Sequence, residues 1–253
     1  MKNLFLVWVL LSSITMVSQV KKEYYENKTL KSVISYDRQG NYNGIYETYT
    51  EDGLPKVTGT YNRKEEEIGA WKTYLKDRSY YIIEYDKNGV IQSNMAYTKD
   101  HKIAWEKPYL NGQPHGVWNE YLANGNLMMT ENYKNGVLHG IRKQFDTKEG
   151  NILLVSENYV NGNKVGECAY YHKDGKKKEI FNYVDGNVYK EEYTYHDNGN
   201  LKEILSTKNE LPDGVSKSFY PNGNLESTVM AKGFNFTIKR YSQDGELIET
   251  IKM

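Results

Sequence analysis

Asn-Gly and Asp-Gly steps recur through this chain about every dozen residues, and that spacing restricts what it can fold into. Thirteen of the 21 glycines follow Asn or Asp, so the glycines mark turns rather than scattered flexible points. A type I′ hairpin turn needs φ > 0 at both central residues, a region that Asn, Asp and Gly reach at least cost. The stretch 116–140, GVWNEYLANGNLMMTENYKNGVLHG, shows the unit. A short aromatic run meets Asn124-Gly125, a second run closes on Tyr133, and Asn135-Gly136 follows.

Two aromatic series share one period. The first holds Tyr49, Tyr74, Tyr97, Tyr121, Phe145, Tyr171, Tyr195, Phe219 and Tyr241, in steps of 22 to 26 and mostly 24. The second holds Tyr61, Tyr85, Tyr109, Tyr133, Tyr159 and Tyr183, after which Thr207 and Ala231 take its places. A fixed period of this length marks a repeat array. Each repeat reads as a hairpin, and successive hairpins join through a second tight turn. The expected fold is all-β, an elongated antiparallel β-meander advancing ~10 Å per two-strand repeat, with no compact core. A two-residue loop at Asn124-Gly125 would pair Tyr133 with Gly116, laying an aromatic ring over a cross-strand glycine.

Composition agrees. The chain has 24 Tyr and only 5 Pro, and its mean hydropathy of -0.78 suits a thin sheet wetted over much of its surface. Disordered segments lack aromatic residues at this density.

Three segments are expected. Residues 1–20 have the layout of a secretory signal peptide: Lys2, an apolar run from Leu4 to Leu11, then Ser12, Ser13, Thr15 and Ser18, with cleavage near Ser18 or Gln19. This run, expected as a signal helix, is too short for a permanent membrane span, so the mature chain is expected to be exported with no transmembrane segment. Residues 21–42 keep the period imperfectly and are read as an N-terminal cap. Residues 43–253 form one continuous array, with a two-residue expansion at Lys148–Asn151 for a loop to absorb.

The pattern Gly69-Ala-Trp71-Lys-Thr-Tyr74, and again Gly116-Val-Trp118-Asn-Glu-Tyr121-Leu-Ala-Asn-Gly125, resembles the variant MORN (membrane occupation and recognition nexus) repeat. The closure Tyr-x-Asn-Gly-x-x-x-Gly recurs at Tyr133–Gly140 and Tyr159–Gly166. The arrangement is similar to bacterial proteins labelled YwqK-family antitoxins. The resemblance covers nearly all of residues 43–250. It implies a β-meander used for protein or surface contacts, an antitoxin-like role, and no catalytic residues.

The residues themselves point away from chemistry. His115 and His139 hold equivalent places one repeat apart, about 10 Å across an intervening strand, whereas two imidazoles on one zinc need N–metal distances of ~2 Å. No metal site or cofactor is expected. Cys168 is the single cysteine, so no intrachain disulfide forms, and it is read as a half-buried strand thiol. A regular sheet offers no evident cleft for a carboxylate pair. The formal net charge of +0 argues against nucleic acid and weakens a case for anionic lipid.

An unidentified protein partner is therefore expected on a long aromatic-lined face. Its candidate residues are Trp71, Tyr74, Tyr97, Trp105, Tyr109, Trp118, Tyr121, Tyr133, Tyr171 and Tyr195. The alternative is a cell-wall polysaccharide or other glycan stacked on the same ladder.

Overall fold

The structure, a computed structural model, describes residues 19–148 and 152–253. The expected signal helix lies outside the described residues, as does part of the expansion at 149–151. Within the described residues the chain is all strand and turn, with 24 strands and no helix. No helix among them is long and apolar enough to cross a membrane.

The chain divides into two units. In the first, the strands Gln19–Tyr24, Leu30–Tyr36, Tyr42–Tyr49, Pro55–Tyr61 and Glu67–Tyr74 each pair antiparallel with the next. The stretch expected as a cap is thus itself paired strand. The second unit holds residues 76–83 and 91–253. From Ile91–Tyr97 to Leu247–Lys252 its strands run up and down, each antiparallel with its neighbour.

Two kinds of turn recur in the second unit, and one differs from expectation. Asn135 (φ 51°) and Gly136 (φ 86°) both have positive φ, and Lys134 pairs with Val137 across them, as a type I′ turn requires. At Asn124-Gly125 only Gly125 is left-handed, at φ 93°. There the Leu122 amide donates to the Asn126 carbonyl and the Gly125 amide to the Leu122 carbonyl, both at 2.8 Å. That is a three-residue loop closed by a left-handed glycine, which inserts an extra residue and shifts the register between Glu120 and Tyr121. The cause lies in Asn124, whose Oδ1 accepts the Asn126 amide at 2.9 Å. Its side chain caps the loop locally instead of letting its backbone go left-handed. Beyond this loop the pairing is the expected one, with Gly116 opposite Tyr133.

The turns at Asn111-Gly112, Asn135-Gly136, Asn161-Gly162 and Asn209-Glu210 are each followed by a bulge, whereas pairing runs on unbroken past Asp185-Gly186. Register jumps from Tyr109 opposite Pro114 to Glu106 opposite Asn119, which strands backbone carbonyls outside the ladder. Side chains on the neighbouring strand collect the carbonyl just past the bulge glycine. Asn132 Nδ2 donates to the Ile141 carbonyl at 2.5 Å, Asn158 Nδ2 to Glu167 at 2.7 Å, and Ser206 Oγ to Val215 at 3.1 Å. These polar residues precede the second aromatic series by one position, where their spacing alone does not set them apart.

Among the described residues little is buried. The buried apolar residues are Trp71, Tyr80, Ala96, Cys168, Ala169, Ile180 and Ala231. Cys168 is fully buried rather than half-buried, and burial pushes its thiol pKa up.

Candidate functional site

Directly paired residues share a face, and faces alternate along each strand. Applied to the registers, this rule splits the aromatic residues. In the second unit Gly116 and Trp118 lie opposite Tyr133 and Glu131, and Trp105 lies opposite Glu120. Trp105, Tyr109, Trp118 and Tyr133 therefore share one face. Tyr121 follows Glu120 by one residue and points the other way, as do Tyr97, Tyr171 and Tyr195. The expected single aromatic-lined face is thus corrected: the first Tyr series and the second occupy opposite faces. The reason is the register itself, since Tyr121 and Tyr133 cannot share a face when Gly116 opposes Tyr133.

In the first unit Trp71 is core, not a platform. It is 6% exposed, its Nε1 donates to the Thr60 carbonyl at 3.2 Å, and its ring lies 4.8 Å from Tyr61 and 5.5 Å from Tyr46. Tyr74 lies beneath the Lys72 ammonium, 4.7 Å from its ring centroid.

The Tyr133 face of the second unit carries an aromatic cluster and a chain of ion pairs. Trp118 Nε1 donates to the Pro108 carbonyl at 2.9 Å, and its ring lies 4.5 Å from Tyr133 and 5.4 Å from Tyr109. Trp105 Nε1 donates to Asn94 Oδ1 at 3.2 Å. Lys107 bridges the two indoles, 5.3 Å from each ring, and meets Glu120 at 2.7 Å. Further along, Arg142 joins Glu131 and Glu157, each at 3.0 Å.

Glu157 is the node of this chain. It is 4% exposed and receives Lys164 at 2.7 Å, Tyr170 OH at 2.5 Å and Tyr159 OH at 3.0 Å. Burial alone would raise its pKa, but the hydrogen bonds from Lys164, Tyr170 and Tyr159 outweigh it and hold the carboxyl at about 2. Tyr133 and Tyr159 are pushed up to about 12, first by burial and then by the carboxylates that accept their protons' hydrogen bonds, Glu131 and Glu157. Lys190 pairs with Glu179 and Glu192, at 2.8 and 3.1 Å. These charges neutralise one another in place.

The opposite face is built differently. Tyr97 stacks on Tyr80 at 4.8 Å, and Tyr121 OH donates to Glu106 Oε2 at 3.1 Å. Tyr195 OH donates to the Lys177 carbonyl at 2.9 Å, with the Lys176 ammonium 5.0 Å from its ring. Tyr171 sits beside the loop, opposite Lys177. This face also holds what the sequence did not suggest, a shallow groove of about 380 Å³ lined by Ile180, Tyr189, Glu191, Tyr193, Ser206 and Val215 among others. It opens because Ser206 is small while the flanking Tyr189 and Tyr193 are tall. Tyr193 OH donates to Glu191 Oε2, and burial followed by that bond raises the phenol's pKa.

The arrangement presents apolar and aromatic surface in rows. Among the described residues no group of His, Cys, Asp and Glu is placed to hold a metal ion.

The chain has low-identity likeness to solved structures. It is similar to the TcdB2-TccC3 structure without its hypervariable C-terminal region, at 11% identity and a TM-score of 0.23, over 92% of this chain and 15% of that one. It is likewise similar to TcdB2-TccC3, at 14% identity and a TM-score of 0.19, over 93% of this chain and 14% of that one. The chain therefore spans less than a fifth of the length of these structures. No curated protein matches the sequence. Five segments of the chain, residues 20–38, 114–135, 164–185, 189–209 and 212–232, match the family model of the MORN repeat variant.

Proposed function

We propose that this protein is a non-enzymatic scaffold that binds another protein through the second unit, and that it is exported. The observation that carries the reading is the distribution of exposed apolar side chains. Val117 (45%), Ile141 (45%) and Val184 (48%) stand exposed on the face opposite Tyr133, the face that also holds the groove at Ser206. Apolar side chains left exposed on one face are the kind of surface at which partners bind. Repeat segments of the MORN variant type support the same reading, since such repeats generally serve binding rather than catalysis. Export rests on residues 1–20, and an antitoxin-like role on the YwqK-family resemblance.

The test is capture of a partner from envelope extract by the full chain, with a fractionation blot for its location. Enrichment of one protein from the envelope fraction supports the reading. Recovery with purified polysaccharide and no protein partner would replace it with the glycan alternative. That alternative is weakened by the burial of Trp71 and by the split of the aromatic ladder across two faces.

A further inference from the structure

The chain's net charge of zero conceals two unlike faces in the second unit. On the Tyr133 face the cations Lys107, Arg142, Lys164, Lys190 and Arg240 each lie against a carboxylate. On the opposite face stand Lys134, Lys143, Lys208, Lys217, Lys232 and Lys239, placed there by pairing with Val137, Ser156, Tyr189, Ile204, Asn235 and Thr228. None of these six is in an ion pair among the described residues. Carboxylates do occur on this face, and two of them, Glu106 and Glu191, already accept hydrogen bonds from Tyr121 and Tyr193.

One row is free of acid. The residue just before each two-residue turn is Leu110, Lys134, Val160, Val184, Lys208 or Lys232. Their partners across those turns are Gln113, Val137, Asn163, Asn187, Leu211 and Asn235. The row is built of aliphatic, amide and lysine side chains alone. Leu110 is 47% exposed and Leu211 70%.

From this we infer that the row beside the two-residue turns docks an acidic protein segment that carries aliphatic residues. The deduction rests on the scaffold reading and adds the chemistry of the partner. Lysines without a carboxylate partner, one of them (Lys208) 5.1 Å from the Tyr189 ring, spaced among exposed aliphatics complement carboxylates spaced among aliphatics. Successive row positions are about 10 Å apart, two strand spacings, and an extended peptide advances the same distance in about three residues. The aliphatic character favours a protein segment over nucleic acid, which would ask for aromatic stacking partners.

The probe is a synthetic peptide of repeated Glu-Leu-Ser, with Lys-Leu-Ser as its counterpart and phosphatidylcholine–phosphatidylserine vesicles as a third arm. Binding to the full chain is read by fluorescence anisotropy or co-sedimentation. The acidic peptide should bind, and its affinity should fall about tenfold or more between about 50 and about 300 mM salt. A Lys134→Glu/Lys208→Glu/Lys232→Glu variant, shown by circular dichroism to melt as the parent does, should lose the acidic peptide and gain the basic one.

Undiminished binding of the acidic peptide to that variant overturns the inference, as does binding of the vesicles without the peptide. A partner captured from extract equally by parent and charge-reversed chains leaves the scaffold reading standing and sinks this one. Capture of nothing by either chain sinks the scaffold reading itself.

Discussion

The indole of Trp71 occupies the space that a side chain on Gly59 would need: a Cβ built on Gly59 would fall 2.2 Å from Trp71 Cδ2. Ring and glycine face each other because Thr58 pairs with Lys72 and Val57 with Thr73, which leaves Gly59 beneath the next residue on the same face. The absence of a side chain lets the ring lie flat on the backbone, flanked by Tyr46 and Tyr61.

Gly59→Ala should therefore destabilise the first unit by about 1–3 kcal/mol, as overpacking does. Trp71→Ala should cost about 3–5 kcal/mol. Urea unfolding followed by tyrosine fluorescence and circular dichroism measures both. A neutral Gly59→Ala would show that Trp71 is free to move away.

Glu157 ties acid stability to one carboxyl. Its folded pKa of about 2 lies below its ordinary value of 4.5. A depressed folded pKa contributes stability that is present above the unfolded value and lost as pH falls through the folded one. The contribution should be complete above pH 4.5 and fade between there and about 2. Glu157→Gln should cost about 3–5 kcal/mol at neutral pH, because Arg142 and Lys164 lose a buried partner. Its stability should change less than the parent's over that acid window, which thermal melts at stepped pH would reveal.

Arg78 holds the left-handed position of its loop at φ 70°, a place taken by Gly125 in the equivalent loop. A left-handed non-glycine residue costs about 1–2 kcal/mol. Arg78→Gly should stabilise the chain by about 1 kcal/mol, and Gly125→Ala should destabilise it by a similar amount. Equilibrium unfolding of the two variants should move in opposite directions.

Asn158 joins two strands at a point where their ladder is broken, donating to the Glu167 carbonyl at 2.7 Å. Asn158→Ala should cost about 1–3 kcal/mol by leaving that carbonyl without its donor. Asn158→Ser should recover part of the loss, since Ser206 serves the equivalent carbonyl of Val215. Hydrogen exchange at the amides of residues 167–169 should quicken in the alanine variant.

The turn dipeptides and the period were enough to read the strands, their antiparallel order and even the pairing of Gly116 with Tyr133, because these depend on local backbone preferences. The same letters misled at Asn124-Gly125. Asn serves a left-handed turn or a capped loop equally well, and only the hydrogen bond to the Asn126 amide chooses.

For the site, sequence supplied the aromatic residues but not their sides. Trp71 and Trp118 stand in the same motif, yet one is buried against the rings of Tyr46 and Tyr61 and the other takes a lysine across its face. The face of each residue follows from register, and register depends on loop residue counts at every turn. The groove at Ser206 and the lysines left without acids emerge only when strands distant in sequence are laid side by side. Sequence alone determined the meander, since a turn acts on its nearest neighbours; tertiary structure decided which charges meet, since ion pairs form across strands.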